Sequence, residues 1–203
     1  MFVAQGYHAA AMDEIAERSG VSKPVLYQHF SGKLDLYLAL LDDACTALLA
    51  AVREALRSAS RGRDKAYAFA AAYFRFTDDD AGAFRLVFES DLTTEPEVRR
   101  RLAALTEACV DAISTLIHED AGLGVEESRL LAAGLVGLQQ HAARYWLTQG
   151  RTVPLEEAAR LVSMLGWRGL RSLPGPVPDT LCAASEQGEP AGSRGAGPGG
   201  GAG

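Results

Sequence analysis

Apolar residues recur every three to four positions along most of the chain, the period of a helix that buries one face. The longest such run lies between Lys33 and Ser58. Leu34, Tyr37, Leu38, Leu41, Ala44, Cys45, Leu48, Leu49, Val52 and Leu56 keep the spacing there for many turns. Gly32 opens this helix, and Asp35 in its first turn suits the dipole. After a polar break at 60–64, a helix over 65–77 is expected to carry Tyr67, Phe69, Tyr73, Phe74 and Phe76. Asp78-Asp79-Asp80 ends it as a solvated loop. A short helix over 83–90 holds Phe84, Leu86, Val87 and Phe88. Thr94-Glu95-Pro96-Glu97 reads as a helix start, with Thr as cap, an early Pro and Glu placed for a capping box. That helix runs to about 121 through Val98, Leu102, Leu105, Cys109, Ile113, Leu116 and Ile117. Gly122-Leu123-Gly124 breaks the chain before a helix over 126–149, and Pro154 starts the last, from 155 to about 173. No βαβ pattern or Gly-rich phosphate loop interrupts the series. The expected fold class is all-α, with about nine helices.

The stretch 11–33 carries the chemistry. Met12, Ile15 and Ala16 form one apolar helix face, Gly20 stops that helix, and Val21 is expected to plug the corner. Ser22 is a good N-cap for a second short helix, and Pro24 lies in its first turn, where a missing N–H costs nothing. Val25, Leu26 and Phe30 give that helix its apolar side. Helix, Gly-containing turn, helix is the pattern that lays its second helix in the DNA major groove. Lys23, Tyr27, Gln28, His29 and Lys33 are donors grouped around that helix. Lys, Tyr and His suit phosphate oxygens; Pro24 and Val25 could meet a thymine methyl, and Gln28 a base edge. The same spacing also fits two packed helices in any all-α protein.

Beyond spacing, Gly6-Tyr7, Met12-Asp13-Glu14-Ile15-Ala16, Gly20-Val21-Ser22-Lys23, Leu26-Tyr27-x-His29-Phe30 and Lys33-x-x-Leu36 resemble the DNA-binding domain of the TetR family of one-component repressors. The resemblance implies that Ser22, Lys23, Pro24, Val25 and Gln28 lie at the DNA, with Lys23, Pro24 and Val25 approaching bases. It implies phosphate contacts from Tyr27, His29 and Lys33. Two departures stand out. The family carries a first helix of about four turns before Phe2, of which Met1–Ala4 is a remnant, so Ile15, Leu26 and Phe30 are expected to lack part of their cover. Either the true start lies upstream or the reading head is weakened. Ala9-Ala10-Ala11 also stands where the family usually has a Thr or Ser cap.

Composition narrows the class only slightly. The 203 residues carry a net charge of −6, so the chain as a whole does not advertise nucleic-acid binding. That balance implies weak non-specific binding and steep salt sensitivity. Cys45, Cys109 and Cys182 are scattered, without the pairings of a zinc site or a disulfide framework, and a reducing cytoplasm is the natural setting. No signal peptide or spanning helix is apparent. His118-Glu119-Asp120 does not share a helix face, and Ser90-Asp91 belongs to no readable triad. No catalytic activity and no cofactor are expected.

The family resemblance also organises the body. It implies a reading head over 1–45, a ligand-binding and dimerisation domain over 46–173, and beyond it a Gly/Pro-rich tail, 174–203, too poor in apolar residues to fold. Aromatic stripes usually belong to cores. The resemblance instead makes Phe69, Tyr73, Phe74, Phe84 and Phe88 candidates to line a pocket for a small apolar or aromatic effector. Arg85, Glu89, His141 and Arg144 are candidate polar anchors. The last two helices would pair with their copies through Leu131, Leu135, Leu138, Ala142, Tyr145, Trp146, Leu161, Met164 and Leu165, with Gly134 and Gly137 allowing close approach. The expected function is a dimeric repressor that releases a palindromic operator when a small molecule binds. The alternative is a ligand-binding or protein-interaction module that no longer reads DNA.

Overall fold

The computed structural model describes residues 1–60, 62–79, 81–89, 92 and 94–172; the expected tail lies outside the described residues, as do Asp80, Ser90, Asp91 and Cys182. Among the described residues the chain is all helix, with nine in sequence. They are α1 (Phe2–Ala9), α2 (Met12–Arg18), α3 (Lys23–His29), α4 (Lys33–Ser58), α5 (Gly62–Asp79), α6 (Ala81–Phe88), α7 (Pro96–Ala121), α8 (Val125–Thr148) and α9 (Leu155–Arg171). The all-α expectation holds, and α4 has the bounds its periodicity implied.

α4 joins the three short N-terminal helices to the rest. Its buried stripe of Leu36, Tyr37, Leu41, Ala44, Leu48 and Val52 packs against α5, α6 and α7. Arg101 ties the same helix to the first turn of α7, with its Nε 2.8 Å from Asp42 and a terminal nitrogen 2.7 Å from Glu97. Hydrogen bonds from Arg100 and Arg101 hold the Glu97 carboxyl down to about 2. Glu97 therefore serves these arginines rather than a capping box, and the residue that caps α7 is Glu95, not Thr94.

α5 is the hub of the body, in contact with α4, α6, α8 and α9. Phe69, Ala70, Ala71, Ala72, Tyr73, Phe74, Phe76 and Thr77 are all buried and only Arg75 among them is exposed, so this stretch of the helix is covered on most of its circumference rather than along one stripe. The three alanines let neighbouring helices approach closely, and the aromatics fill the space between them. Tyr73 meets Phe69 edge-on at 5.3 Å, and Phe84 lies 4.8 Å from Phe88. Trp146 also belongs to this core: it is buried, meets Phe74 edge-on at 5.4 Å, and its indole N–H donates to the Val153 carbonyl at 2.6 Å. This corrects its expected place on an outward face.

In the head, α2 ends in a Schellman turn. Gly20 takes φ 69°, its N–H donates to Glu17, and the Val21 N–H donates to Ala16. Val21 does not plug the corner; it is exposed. Leu26 is buried despite the short N-terminal segment, while Ile15 and Phe30 are half-buried against the core. α1 lies against the start of α4. Gly6 breaks it at φ 79°, ψ 163°, a conformation open essentially to glycine alone, and the chain folds back so that Phe2 lies 5.9 Å from Tyr7 and 5.4 Å from Tyr37. Ala11 caps α2 without a side-chain hydrogen bond, and its extended backbone is one that Ser adopts freely. Ala11→Ser is expected to add about 1 kcal/mol, read as a rise of roughly 2–4 °C in melting temperature.

Candidate nucleic-acid interface

α3 exists to present one face. Ser22 precedes it in extended conformation, Pro24 sits in its first turn, and Leu26 alone of its seven residues is buried. Ser22, Lys23, Pro24, Val25, Tyr27, Gln28 and His29 are all exposed, so the structure brings seven of the eight candidate DNA residues together on one surface. Val25 and Tyr27 are large apolar groups left 40% and 45% exposed, as befits rings and methyls awaiting a partner surface. Ser22 makes no side-chain cap bond, so its hydroxyl is not spent on the first-turn amides of the helix.

The eighth residue is placed differently. Lys33 is half-buried, its Nζ donates to the backbone carbonyls of His8 at 3.1 Å and Ala10 at 3.0 Å, and it lies 4.6 Å above the Tyr7 ring. Lys23 is engaged too: its Nζ donates to the Asp13 carboxylate at 2.8 Å, and that hydrogen bond raises the pKa of the ammonium. Arg18 pairs loosely with Glu14 at 3.9 Å. These are the three permanent cations of residues 1–33, balanced in number by Asp13, Glu14 and Glu17. The face of α3 therefore offers mainly neutral donors and apolar groups.

The body holds a concavity of about 440 Å³ between α4, α5, α7, α8 and α9. Its walls are apolar, with Leu56, Phe69, Ile113, Ile117 and Leu135 among them, and Gln139 and Ser163 stand at the buried end. Gln139 Oε1 is enclosed without a hydrogen-bond partner. Lys65, Asp120 and Arg171 line the opposite, more exposed end, where the Trp167 ring lies so close to Gly62 that a Cβ there would stand 2.7 Å from it. Of the expected pocket aromatics only Phe69 lines this cavity. Tyr73, Phe74 and Phe84 are core, Phe88 is half-buried beside them, and His141 is exposed, with its ring Nδ1 3.0 Å from the Gly137 carbonyl. Glu89 sits between Arg85 at 3.6 Å and Arg144 at 3.5 Å, outside the cavity lining. Among the residues missed were Ile113, Gln139, Ser163 and Trp167, whose common wall arises only when α7, α8 and α9 meet.

Comparison with known proteins agrees with this geometry. A family profile described as bacterial regulatory proteins, tetR family, matches residues 1–40. The HTH-type transcriptional activator FasR of Mycolicibacterium smegmatis is 46% identical over 174 residues, covering 86% of this chain and 80% of that protein. Among solved structures, the fatty acid degradation regulator FadR of Bacillus halodurans superposes with a TM-score of 0.70 at 19% identity, over 86% of this chain and 91% of that one. FadR of Bacillus subtilis, in complex with stearoyl-CoA, gives 0.67 at 16% identity over 81% and 91%.

Asp13→Asn is expected to free Lys23 and strengthen binding to duplex DNA a few-fold, since an exposed pair competes only weakly with phosphate. Titration of a labelled duplex at fixed salt measures this, and an unchanged affinity would show that the Asp13 pair does not compete.

Proposed function

We propose that this chain, which belongs to the TetR family of bacterial regulatory proteins, is a dimeric DNA-binding regulator whose hold on a palindromic operator is set by what fills the cavity of its body. It is a transcriptional regulator and not an enzyme. The observation that carries the DNA reading is the α3 face, where seven candidate residues from Ser22 to His29 stand exposed while Leu26 alone anchors the helix from below. Phosphate contacts would come from Tyr27 and His29, and base contacts from Lys23, Pro24, Val25 and Gln28. A role at DNA fits a cytoplasmic protein; among the described residues no helix is long and apolar enough to cross a membrane.

The direction of regulation that we infer is activation, the role carried in the name of the 46% identical relative, rather than the repression that the family resemblance had implied. A reporter fused to the bound promoter, compared with and without the regulator, decides between them.

Dimerisation is supported by the outward faces of α8 and α9. Leu130, Tyr145, Leu161 and Leu165 are 75%, 67%, 49% and 65% exposed, an apolar surface costly to leave in water. Leu131, Leu135, Leu138, Ala142 and Met164 are only half-covered, and a Cβ added at Gly134 or Gly137 would meet nothing. A second copy laid on this face would cover it and space two heads for a two-fold operator. Leu165→Glu is expected to shift the protein to monomer in sedimentation at micromolar concentration and to abolish operator binding at the same concentration. A Leu165→Glu protein that remains dimeric would overturn this assignment.

The effector that the cavity fits is an apolar chain with an anionic head. The 440 Å³ space has an apolar interior; Lys65 and Arg171 stand beside Asp120 at its open end, and the adjoining groove that shares Trp167 adds Arg63, Arg160 and Arg168 among Asp64, Glu156 and Glu157. An acyl-CoA has this chemistry, and stearoyl-CoA occupies the Bacillus subtilis structure of the same fold. Such a ligand shifts operator affinity only as far as it binds two conformations unequally. Stearoyl-CoA is expected to change operator affinity roughly tenfold, about 1.4 kcal/mol of coupling, and Ala66→Trp, which fills the cavity, to remove that response. An operator affinity indifferent to acyl-CoA would exclude this ligand class.

A further inference from the structure

We infer that Lys33 is a positioning residue: its ammonium pins the corner between α1 and α2 to the first turn of α4, rather than serving as a phosphate ligand. This rests on the head's reading of DNA proposed above, but it assigns Lys33 a different part in it. Two carbonyl oxygens, of His8 at 3.1 Å and Ala10 at 3.0 Å, and the Tyr7 ring 4.6 Å away match the three N–H donors of an ammonium. The acceptors are carbonyls at the end of α1, where no further turn supplies donors. Ala10 itself is buried, at 1% exposure, so a carbonyl left without its partner there would be costly.

The placement explains why a tie is needed. α3 passes into α4 through only Phe30, Ser31 and Gly32, whereas α2 has no direct covalent link to α4. Lys33, 23 residues on from Ala10, closes that gap. Asp35 secures the other side of the junction by accepting from the Ser31 N–H at 2.9 Å and its hydroxyl at 3.2 Å. The α2–α3 pair is thereby fixed to α4 at both ends, and the α3 face is held at one angle to the long helix.

The test uses the three lysines of the chain, Lys23, Lys33 and Lys65. Acetylation by an N-hydroxysuccinimide ester, followed by mass spectrometry, is expected to modify Lys33 more slowly than Lys65 in the free protein. Its rate should not change when a duplex selected from a random-sequence library is bound. Ready modification in free protein with shielding on the duplex would overturn the proposal. This footprint uses the unaltered chain and stands whether or not a variant folds. In Lys33→Met, the positioning role predicts faster amide exchange over residues 8–14 without DNA and weaker duplex binding, with an unchanged slope of log affinity against log salt. A phosphate ligand would instead cost about 0.9 of that slope, and such a loss, or wild-type affinity in the variant, would sink the idea. Duplex binding absent from the unaltered protein would count against the DNA reading, while the free-protein acetylation rate and the amide exchange would still judge the tie.

Discussion

The buried stripe of α4 is the constraint on which the rest depends. A helix of 26 residues spans about 39 Å, and its inward positions from Leu36 to Val52 are covered by three different partners. Burying such a stripe contributes on the order of 25 cal/mol for each Å² of apolar surface, so α4 cannot shift against α5, α6 and α7 without exposing it. Leu56, near its C-terminal end, lines the cavity, and Lys33, at its start, reaches the corner of the head. One continuous element therefore touches both places where function is expected.

The head's electrostatics are unusual for a nucleic-acid reader. Its permanent cations have internal partners, and opposing carboxylates equal them in number. On the proposed DNA reading, affinity would then rest mainly on neutral groups: the Ser22 hydroxyl, the Tyr27 ring, Gln28 and first-turn amides. On that reading, Tyr27, His29 and the first-turn amides would fix the register on the duplex, and discrimination between sequences would be left to Lys23, Pro24, Val25 and Gln28.

Much of the architecture was legible in the sequence because its signals are local. The 3.6-residue period of α4, the Gly20 stop before α3, and Pro96 and Pro154 at helix starts each act within a few residues, and the helices fall where those signals put them. Signals that depend on assembly were not legible. An aromatic stripe on α5 has the same composition whether it lines a cavity or fills a core, and only α4, α6, α8 and α9 closing round it decide for the core. Trp146 turned inward because Phe74 and the Val153 carbonyl receive it, neither of which the spacing of its own helix reveals. Lys33 answers to backbone carbonyls 23 and 25 residues away, which leave no side-chain signature at all.

The two tryptophans occupy contrasting environments. Trp146 is sealed in the core, whereas Trp167 stands half-exposed over Gly62 at the cavity's open end, with Arg171 6.0 Å from its ring. Whatever enters that space must displace water from one indole and leave the other untouched. The emission of Trp167 is thus a built-in optical gauge of occupancy, with Trp146 as a constant background, and the protein reports its own filling without any attached dye.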